Sequence, residues 1–230
     1  MDPHSPSLAT ITLLKGLDQQ ALRRLESQCI WRRYRANEVI IDDQDDSNHL
    51  FLVVRGQLRA SVSIAGQETI MRDIKAGQYF GEIAAIDNRP RSAHIRCLTD
   101  SVVAHMPAPI FWRVIQEYPD VGRQLLISLV SLVRALTDRV NETSALNMKH
   151  RLMAELLRLS RPSATSKGSY IISPPPTHAE LAARIGSHRE AVTRELNQLS
   201  RLGLISRYRG AISLQDRDRL QQTLDKAMGG

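Results

Sequence analysis

The chain has 230 residues, 42% of them hydrophobic, enough for one large domain or two small ones, each with its own core. Its formal net charge of +7 points to a polyanionic partner, nucleic acid first and a membrane surface second. Two isolated cysteines, Cys29 and Cys97, exclude a disulfide framework. The first ten residues carry no apolar signal core, and no run approaches the ~18 apolar residues that cross a bilayer, so a soluble cytoplasmic protein with no membrane partner is expected.

The first few residues are expected to be disordered. Residues Leu8 to Cys29 have apolar positions at mixed three and four spacing, which predicts short helices. From Trp31 to Met106 the pattern becomes short alternating runs (EVII, HLFLVV, QLRASVSI, ETIMRDI, AHIRCL, SVVAHM) punctuated by Gly56, Gly66, Gly77 and Gly81. Runs this short and numerous predict a small sandwich or barrel, with a hairpin tip at Ile64-Ala65-Gly66-Gln67. A short helix is expected over Ile110 to Tyr118, and Pro119 then opens a long helix reaching about Asn147. Its apolar residues Leu126, Leu129, Val133, Leu136 and Val140 fall at intervals of three, four, three and four. That is a heptad seam, which pairs with a second copy of itself or packs on its own domain; pairing, and hence a homodimer, is the expectation. Arg151 to Leu159 reads as another amphipathic helix, Arg161 to Ser169 as a loop and Tyr170 to Ser173 as a short strand.

The C-terminal third holds the charge surplus. Of the 31 basic and 24 acidic residues, 14 and 7 lie from Met148 onward, which leaves 17 of each upstream. Here Thr177 to Gly186 reads as a helix with Thr177 as N-cap and Glu180 completing a capping box. Ser187 and Glu190 repeat that spacing ahead of a second helix that stops at Gly203. Ala182, Ile185, Val192 and Leu196 fall where the two helices should pack, and Leu204 to Leu214 reads as two strands turning at Arg209-Gly210. Helix, tight turn, helix and hairpin make a winged helix-turn-helix. The start of the second helix would enter the major groove, where Arg189 can donate twice to guanine, Glu190 can accept from cytosine N4, and Arg194 follows one turn later. Thr177, Ser187 and His188 stand near helix starts, where hydroxyls and backbone N–H groups suit phosphates, and Arg207 and Arg209 would charge the wing. Read alone, Glu190 is equally a capping partner and Arg194 a surface charge.

Tyr79 to Ala93 reads YFGEIAAIDNRPRSA. Gly81 lets the backbone approach a ligand, Glu82 can hold a sugar hydroxyl and Arg91, nine residues on, can hold a phosphate. The same two side chains also read as a helix cap and an ion-pair partner. The segment resembles the phosphate-binding cassette of cyclic-nucleotide-binding domains, with a Glu-to-Arg spacing and RPRSA ending like those of eukaryotic cyclic-AMP-dependent kinase regulatory subunits. From about Leu14 onward, with the SHREAVTREL segment, the chain resembles the Crp/Fnr family of regulators.

The resemblance implies a set of roles. Gly81, Glu82, Ile83 and Ala84 would line the cassette, with Glu82 on the ribose 2′-hydroxyl and Arg91 and Ser92 on the cyclic phosphate. The family's base-reading pair falls at Leu136 and Thr137; Leu136 carries no hydroxyl and also belongs to the seam, which leaves the choice of base open, with cyclic AMP ahead of cyclic GMP. Arg189, Glu190 and Arg194 match base-reading positions for a palindrome of TGTGA-like half-sites. Asn37 and Gln44 stand where early barrel turns of the family commonly carry glycine; Asn tolerates the left-handed conformation and Gln does so poorly. Two cysteines cannot supply an oxygen-sensing cluster, and nothing marks His49, His94 or His105 as a haem ligand. The expected fold is α+β: a cyclic-nucleotide-binding β-roll (a jelly-roll-like barrel) with its long dimerisation helix over 1–147, and a winged helix-turn-helix over 148–230. The expected function is a homodimeric, cyclic-nucleotide-responsive transcription regulator that binds double-stranded DNA and works with RNA polymerase. The alternative keeps a relic cassette and acts without cyclic nucleotide or on another ligand. With no nucleophile–base pair, metal spacing or Walker-type loop, neither a metal nor an enzymatic activity is expected.

Overall fold

The computed structural model describes residues 7–42, 45–64, 66–163 and 169–229. Gln44, Ala65 of the expected hairpin tip, and the first six residues lie outside the described residues. The chain forms two compact units, one up to Leu132 and one from Val133 onward.

The first unit opens with two 3-10 turns, Leu8–Thr10 and Thr12–Leu14, and helix α1 (Gln19–Glu26). Asp18 accepts a hydrogen bond from Ala21 N at 2.7 Å and so caps α1. Eight strands follow the alternating runs: β1 (Ile30–Tyr34), β2 (Val39–Ile41), β3 (Leu50–Arg55), β4 (Gln57–Ile64), β5 (Gln67–Lys75), β6 (Tyr79–Phe80), β7 (His94–Cys97) and β8 (Ser101–Met106). They build two antiparallel sheets in the orders β1-β8-β3-β6 and β2-β7-β4-β5. Phe51, Val53, Leu58, Ile74, Phe80, Ile95 and Val103, drawn from both sheets, form one buried cluster. All six residues of β8 are buried, as expected for a central strand covered on both faces. Asn37 adopts a positive φ of 70°, so the amide side chain does serve where a glycine would be usual. Between β6 and β7 lies the short helix α2 (Glu82–Asp87), and after β8 come α3 (Ala108–Glu117) and the long helix α4 (Pro119–Ala145).

Helix α4 ends two residues earlier than expected. Asn147 accepts from His150 N at 3.1 Å and caps α5 (Met148–Leu159), so its side chain competes with continued helix and the next helix begins three residues early. Beyond it come β9 (Arg161–Pro162), β10 (Tyr170–Ile172), α6 (His178–Ile185), α7 (Arg189–Arg201), β11 (Ile205–Tyr208), β12 (Ala211–Leu214) and α8 (Arg217–Ala227). The strands pair in the order β11-β12-β10-β9; the start of the expected Arg161 loop is therefore a paired strand. Leu152, Leu156, Leu181, Val192, Leu196, Leu199 and Leu220 are fully buried in one core, joined by Ala182 and Ile185 as their positions predicted. Helix α8 was not anticipated. Its signals are local: Asp216 accepts from Arg219 N at 2.9 Å, and Leu220 and Leu224 bury one face.

Two carboxylates of this second unit are buried, Glu155 and Glu195. Glu155 is 1% exposed and faces three guanidinium groups: Arg139 of α4 at 3.4 Å, Arg184 of α6 at 3.6 Å, and Arg158. Arg139 also donates to the Arg184 carbonyl at 3.0 Å, and Arg151 donates to the Ile185 carbonyl at 3.0 Å. Charged hydrogen bonds thus tie the last turns of α4, and α5, to the C-terminal end of α6.

Candidate functional site

Strand β6 delivers the chain into the turn at Gly81, which has φ +81° and precedes α2. A Cβ here would lie 2.7 Å from Arg91 Nη1, 2.9 Å from the Phe51 ring and 3.0 Å from the His49 carbonyl. Only glycine fits, both for conformation and for space. Glu82 is 6% exposed, Ala84 is buried, and Ile83 and Ser92 face outward.

Arg91 closes the turn. Its Nη1 donates to the Gly81 carbonyl at 3.1 Å, and its Nη2 donates to Ser47 Oγ at 2.8 Å and to the His49 carbonyl at 3.1 Å. Its guanidinium lies 5.0 Å from the centroid of Phe51, which stacks on Phe80 at 4.7 Å. Burial lowers its pKa from the ordinary arginine value, with Asp45 and Glu82 acting to restore it. Its Nε is buried with no hydrogen-bond partner. A half-buried guanidinium with a buried, unpaired donor is a group that an anion would stabilise. Sequence spacing pointed to Arg91 and Gly81; it gave no hint of Ser47 or His49, which arrive from 44 and 42 residues away.

Behind the cassette stand two histidines. His105 is buried, accepts or donates at 2.9 Å with the Tyr34 hydroxyl, and packs edge-on against Phe51. Burial first, then the neighbouring His49, Arg32 and Arg91, push its pKa down to about 4. His49 is lowered by burial and by Arg91. Both rings are therefore neutral near pH 7 and serve as packing beside the arginine. Among the described residues no group of three His, Cys, Asp or Glu could hold a metal ion.

Glu82 also faces a cavity of about 110 Å³ lined by Arg72, Gln78, Tyr79, Ser128, Leu129 and Leu132. Arg72 Nη2 stands 3.9 Å from Glu82 Oε1. Three of these residues come from α4, and none of them was singled out as a ligand contact by sequence. Leu136 and Thr137 lie further along α4, in the second unit, both exposed; Thr137 Oγ1 donates to the Val133 carbonyl at 3.0 Å. Of the heptad positions, Leu126, Val133 and Val140 are each more than 60% exposed and Leu136 is 40% exposed, whereas Leu129 is partly buried against its own unit.

In the second unit the Thr177 capping box forms in both directions: Glu180 N donates to Thr177 Oγ1 at 3.2 Å and Thr177 N to Glu180 Oε2 at 2.7 Å. The second capping box does not. Gly186 takes the left-handed conformation, and Ser187 N donates back to Ala182 O at 3.0 Å to finish α6, so α7 starts one residue later with His188 as N-cap and no side-chain cap. His188, Arg189, Glu190 and Arg194 are exposed, as is Thr177, while Ser187 is half-buried. The hairpin turns at Arg209-Gly210 as expected, and Arg207 donates to Asn197 Oδ1 at 2.7 Å, which braces wing against helix. Sequence reading missed His178. Its Nδ1 lies 2.7 Å from Thr193 Oγ1, which itself donates to the Arg189 carbonyl at 2.9 Å. Burial, then Arg207 and Arg189, hold that imidazole below its ordinary pKa.

Comparison with known proteins supports the two halves separately. The family profile described as cyclic nucleotide-binding domain matches residues 31–118, and that described as Crp-like helix-turn-helix domain matches residues 150–223. The chain is 26% identical over 200 residues to the "Probable transcriptional regulator flp" of Lacticaseibacillus casei, covering 86% of this chain and 89% of that one. It is 24% identical over 182 residues to the "cAMP-activated global transcriptional regulator CRP" of Escherichia coli O6:H1, covering 78% and 87%. A CooA mutant from Carboxydothermus hydrogenoformans shares the fold with a TM-score of 0.75 at 18% identity, over 86% of this chain and 88% of that chain. No described helix is long and apolar enough to cross a membrane.

Proposed function

The chain belongs to the Crp/Fnr family of DNA-binding transcription regulators, and from that premise we propose that it is a cyclic-nucleotide-responsive homodimer reading a palindromic operator. The observation that carries the ligand half is the half-buried Arg91, held against the Gly81 backbone with a buried, unpaired Nε. In this reading Arg91 and Ser92 take the cyclic phosphate, Gly81, Ile83 and Ala84 shape the cradle, and Glu82 takes the ribose hydroxyl. Leu136 and Thr137 take positions beside the base.

Residues 1–147 then act as the sensing part and residues 148–230 as the DNA-binding part. The exposed apolar positions Leu126, Val133, Leu136 and Val140 lie on one stripe of a helix about 40 Å long, and a second copy covers them. A two-fold dimer presents two recognition helices to half-sites about one DNA turn, roughly 34 Å, apart. Arg189, Glu190 and Arg194 read base edges, while Thr177, Ser187 and His188 contact phosphates. Ligand binding acts by favouring the helix pairing that matches this spacing. Such a regulator works in the cytoplasm beside RNA polymerase.

Fluorescence anisotropy on operator DNA, with and without cyclic AMP or cyclic GMP, tests the proposal: nucleotide should raise affinity, and Arg91→Ala should abolish that response while leaving weak, salt-sensitive binding. Unchanged nucleotide affinity in Arg91→Ala would refute the cassette roles. One observation favours a second reading, a regulator that needs no nucleotide: both terminal nitrogens of Arg91 already engage Gly81, Ser47 and His49. Calorimetric titration with both nucleotides separates the two.

A further inference from the structure

We infer that His178 is a proton-linked DNA contact: binding of a duplex puts a proton on its Nε2, which then donates to a backbone phosphate. This rests on the second unit being a DNA-binding module and goes beyond it by making the strength of binding depend on pH. The hydrogen bonds fix the tautomer. His178 is the first residue of α6, follows Thr177 and is half-buried. Its Nδ1 lies 2.7 Å from Thr193 Oγ1 on α7. The Thr193 hydroxyl has one hydrogen, and it donates that to the Arg189 carbonyl at 2.9 Å. Toward the imidazole the Thr193 oxygen can therefore only accept, so Nδ1 carries the N–H. In the neutral ring Nε2 is then a bare acceptor, and it has no hydrogen-bond partner among the described residues. One threonine thus joins the ring on α6 to the backbone of Arg189, the first residue of the helix proposed to enter the groove.

Without DNA the surroundings favour the neutral ring. Burial comes first, then Arg207 of β11 and Arg189 of α7, and both of these are cations. Helix α5 also packs on α6, but none of its charged groups is among those acting on the ring. On α6 itself the Glu180 carboxylate accepts from Thr177 N at 2.7 Å. No carboxylate is among the groups acting on His178. A phosphate reverses this balance. It offers only acceptors, so it meets a bare Nε2 lone pair against lone pair, and a protonated Nε2 in a charge-assisted bond. Its negative charge also offsets the field of the two arginines. The ring therefore holds a proton more tightly on DNA than off it, and a histidine so displaced titrates within reach of physiological pH. Since the bound form carries more protons, affinity rises as pH falls toward the range in which the free ring is itself protonated.

Fluorescence anisotropy of the full-length protein decides the matter, on a duplex with a palindrome of TGTGA-like half-sites and on an unrelated duplex. Between about pH 8 and about pH 6 affinity should rise roughly three- to tenfold on both, because a phosphate contact carries no sequence information. Over the same interval the slope of log affinity against log salt should steepen by about 0.9, one phosphate more. His178→Gln should lose this response; His188 is common to both proteins, so the difference isolates His178. His178→Arg carries a fixed charge, and should bind at about pH 8 as tightly as the native chain does at about pH 6, with the response gone. That gain is readable even if the glutamine variant folds poorly. An equal pH response in the native chain and His178→Arg would overturn the inference. So would tighter binding at higher pH, which would make Nε2 an acceptor from a base amino group. Binding without pH dependence would overturn this inference alone, whereas binding to neither duplex at low salt would overturn the DNA-binding reading with it.

Discussion

The two units treat positive charge in opposite ways. In the first, Arg91 is drawn inside, bonded to three groups and stacked over Phe51. In the second, Arg189, Arg194 and Arg209, the proposed DNA contacts, lie exposed, while Arg139, Arg158 and the buried Arg184 gather around Glu155. A half-buried cation on fixed partners can select one small anion by shape, because its geometry is set before the ligand arrives. An exposed cation on a helix suits a long polyanion, where affinity accumulates over many phosphates and falls with salt. Under the proposed function the same side chain gives selectivity in one unit and electrostatic reach in the other.

The largest expected effect tests the internal charge cluster of the second unit. Glu155→Ala takes the carboxylate away from the buried Arg184 and from the half-buried Arg139 and should cost about 3–5 kcal/mol in urea unfolding. A loss within a few tenths would mean the cluster is solvated, and the contrast with Arg91 would weaken. The next concerns the first unit and pH. His105 has its pKa lowered to about 4, against 6.5 ordinarily. The unfolded chain therefore binds more protons between those values, so stability is intact above about pH 6.5 and falls as pH drops toward 4, by up to about 3 kcal/mol. His49, lowered as well, acts in the same direction. Denaturation midpoints at pH 7 and pH 5 should differ by more in the native chain than in His105→Gln; equal slopes would show that the ring is not held neutral.

Arg189→Ala sharpens the DNA side. It should cost roughly 1–3 kcal/mol at one base pair of the operator and little elsewhere. Equal loss on every sequence would make Arg189 a phosphate contact. The smallest effect is expected at Thr177→Ala, which breaks the reciprocal capping box of α6 and should lower stability by ~1 kcal/mol in thermal unfolding. An unchanged midpoint would mean that tertiary packing alone holds the start of α6.

How much was legible depended on the range of the signal. The Thr177 box, the Arg209-Gly210 turn and the alternating runs are written in neighbouring residues, and the elements formed there. The Ser187 box was written in the same code yet failed, because Gly186 and Ser187 were needed to finish the preceding helix. Two local rules competed for one residue, and the packing of α6 on α7 decided between them. The early end of α4 at Ala145 is the same lesson, with Asn147 claimed by α5.

The sequence by itself determined the order of the elements apart from α2, β9 and α8, the unit that carries the basic surplus, and the Gly81–Arg91 spacing, because periodicity, caps and turns act over a few residues. Only the tertiary structure decided what those residues meet. Ser47 and His49 reach Arg91, Ser128 reaches Tyr79, Thr193 reaches His178, and Glu155 meets Arg139 and Arg184 from two other helices. Each of these contacts joins residues brought together by strand pairing or helix packing, and no periodicity within one segment records which distant segment will be its neighbour.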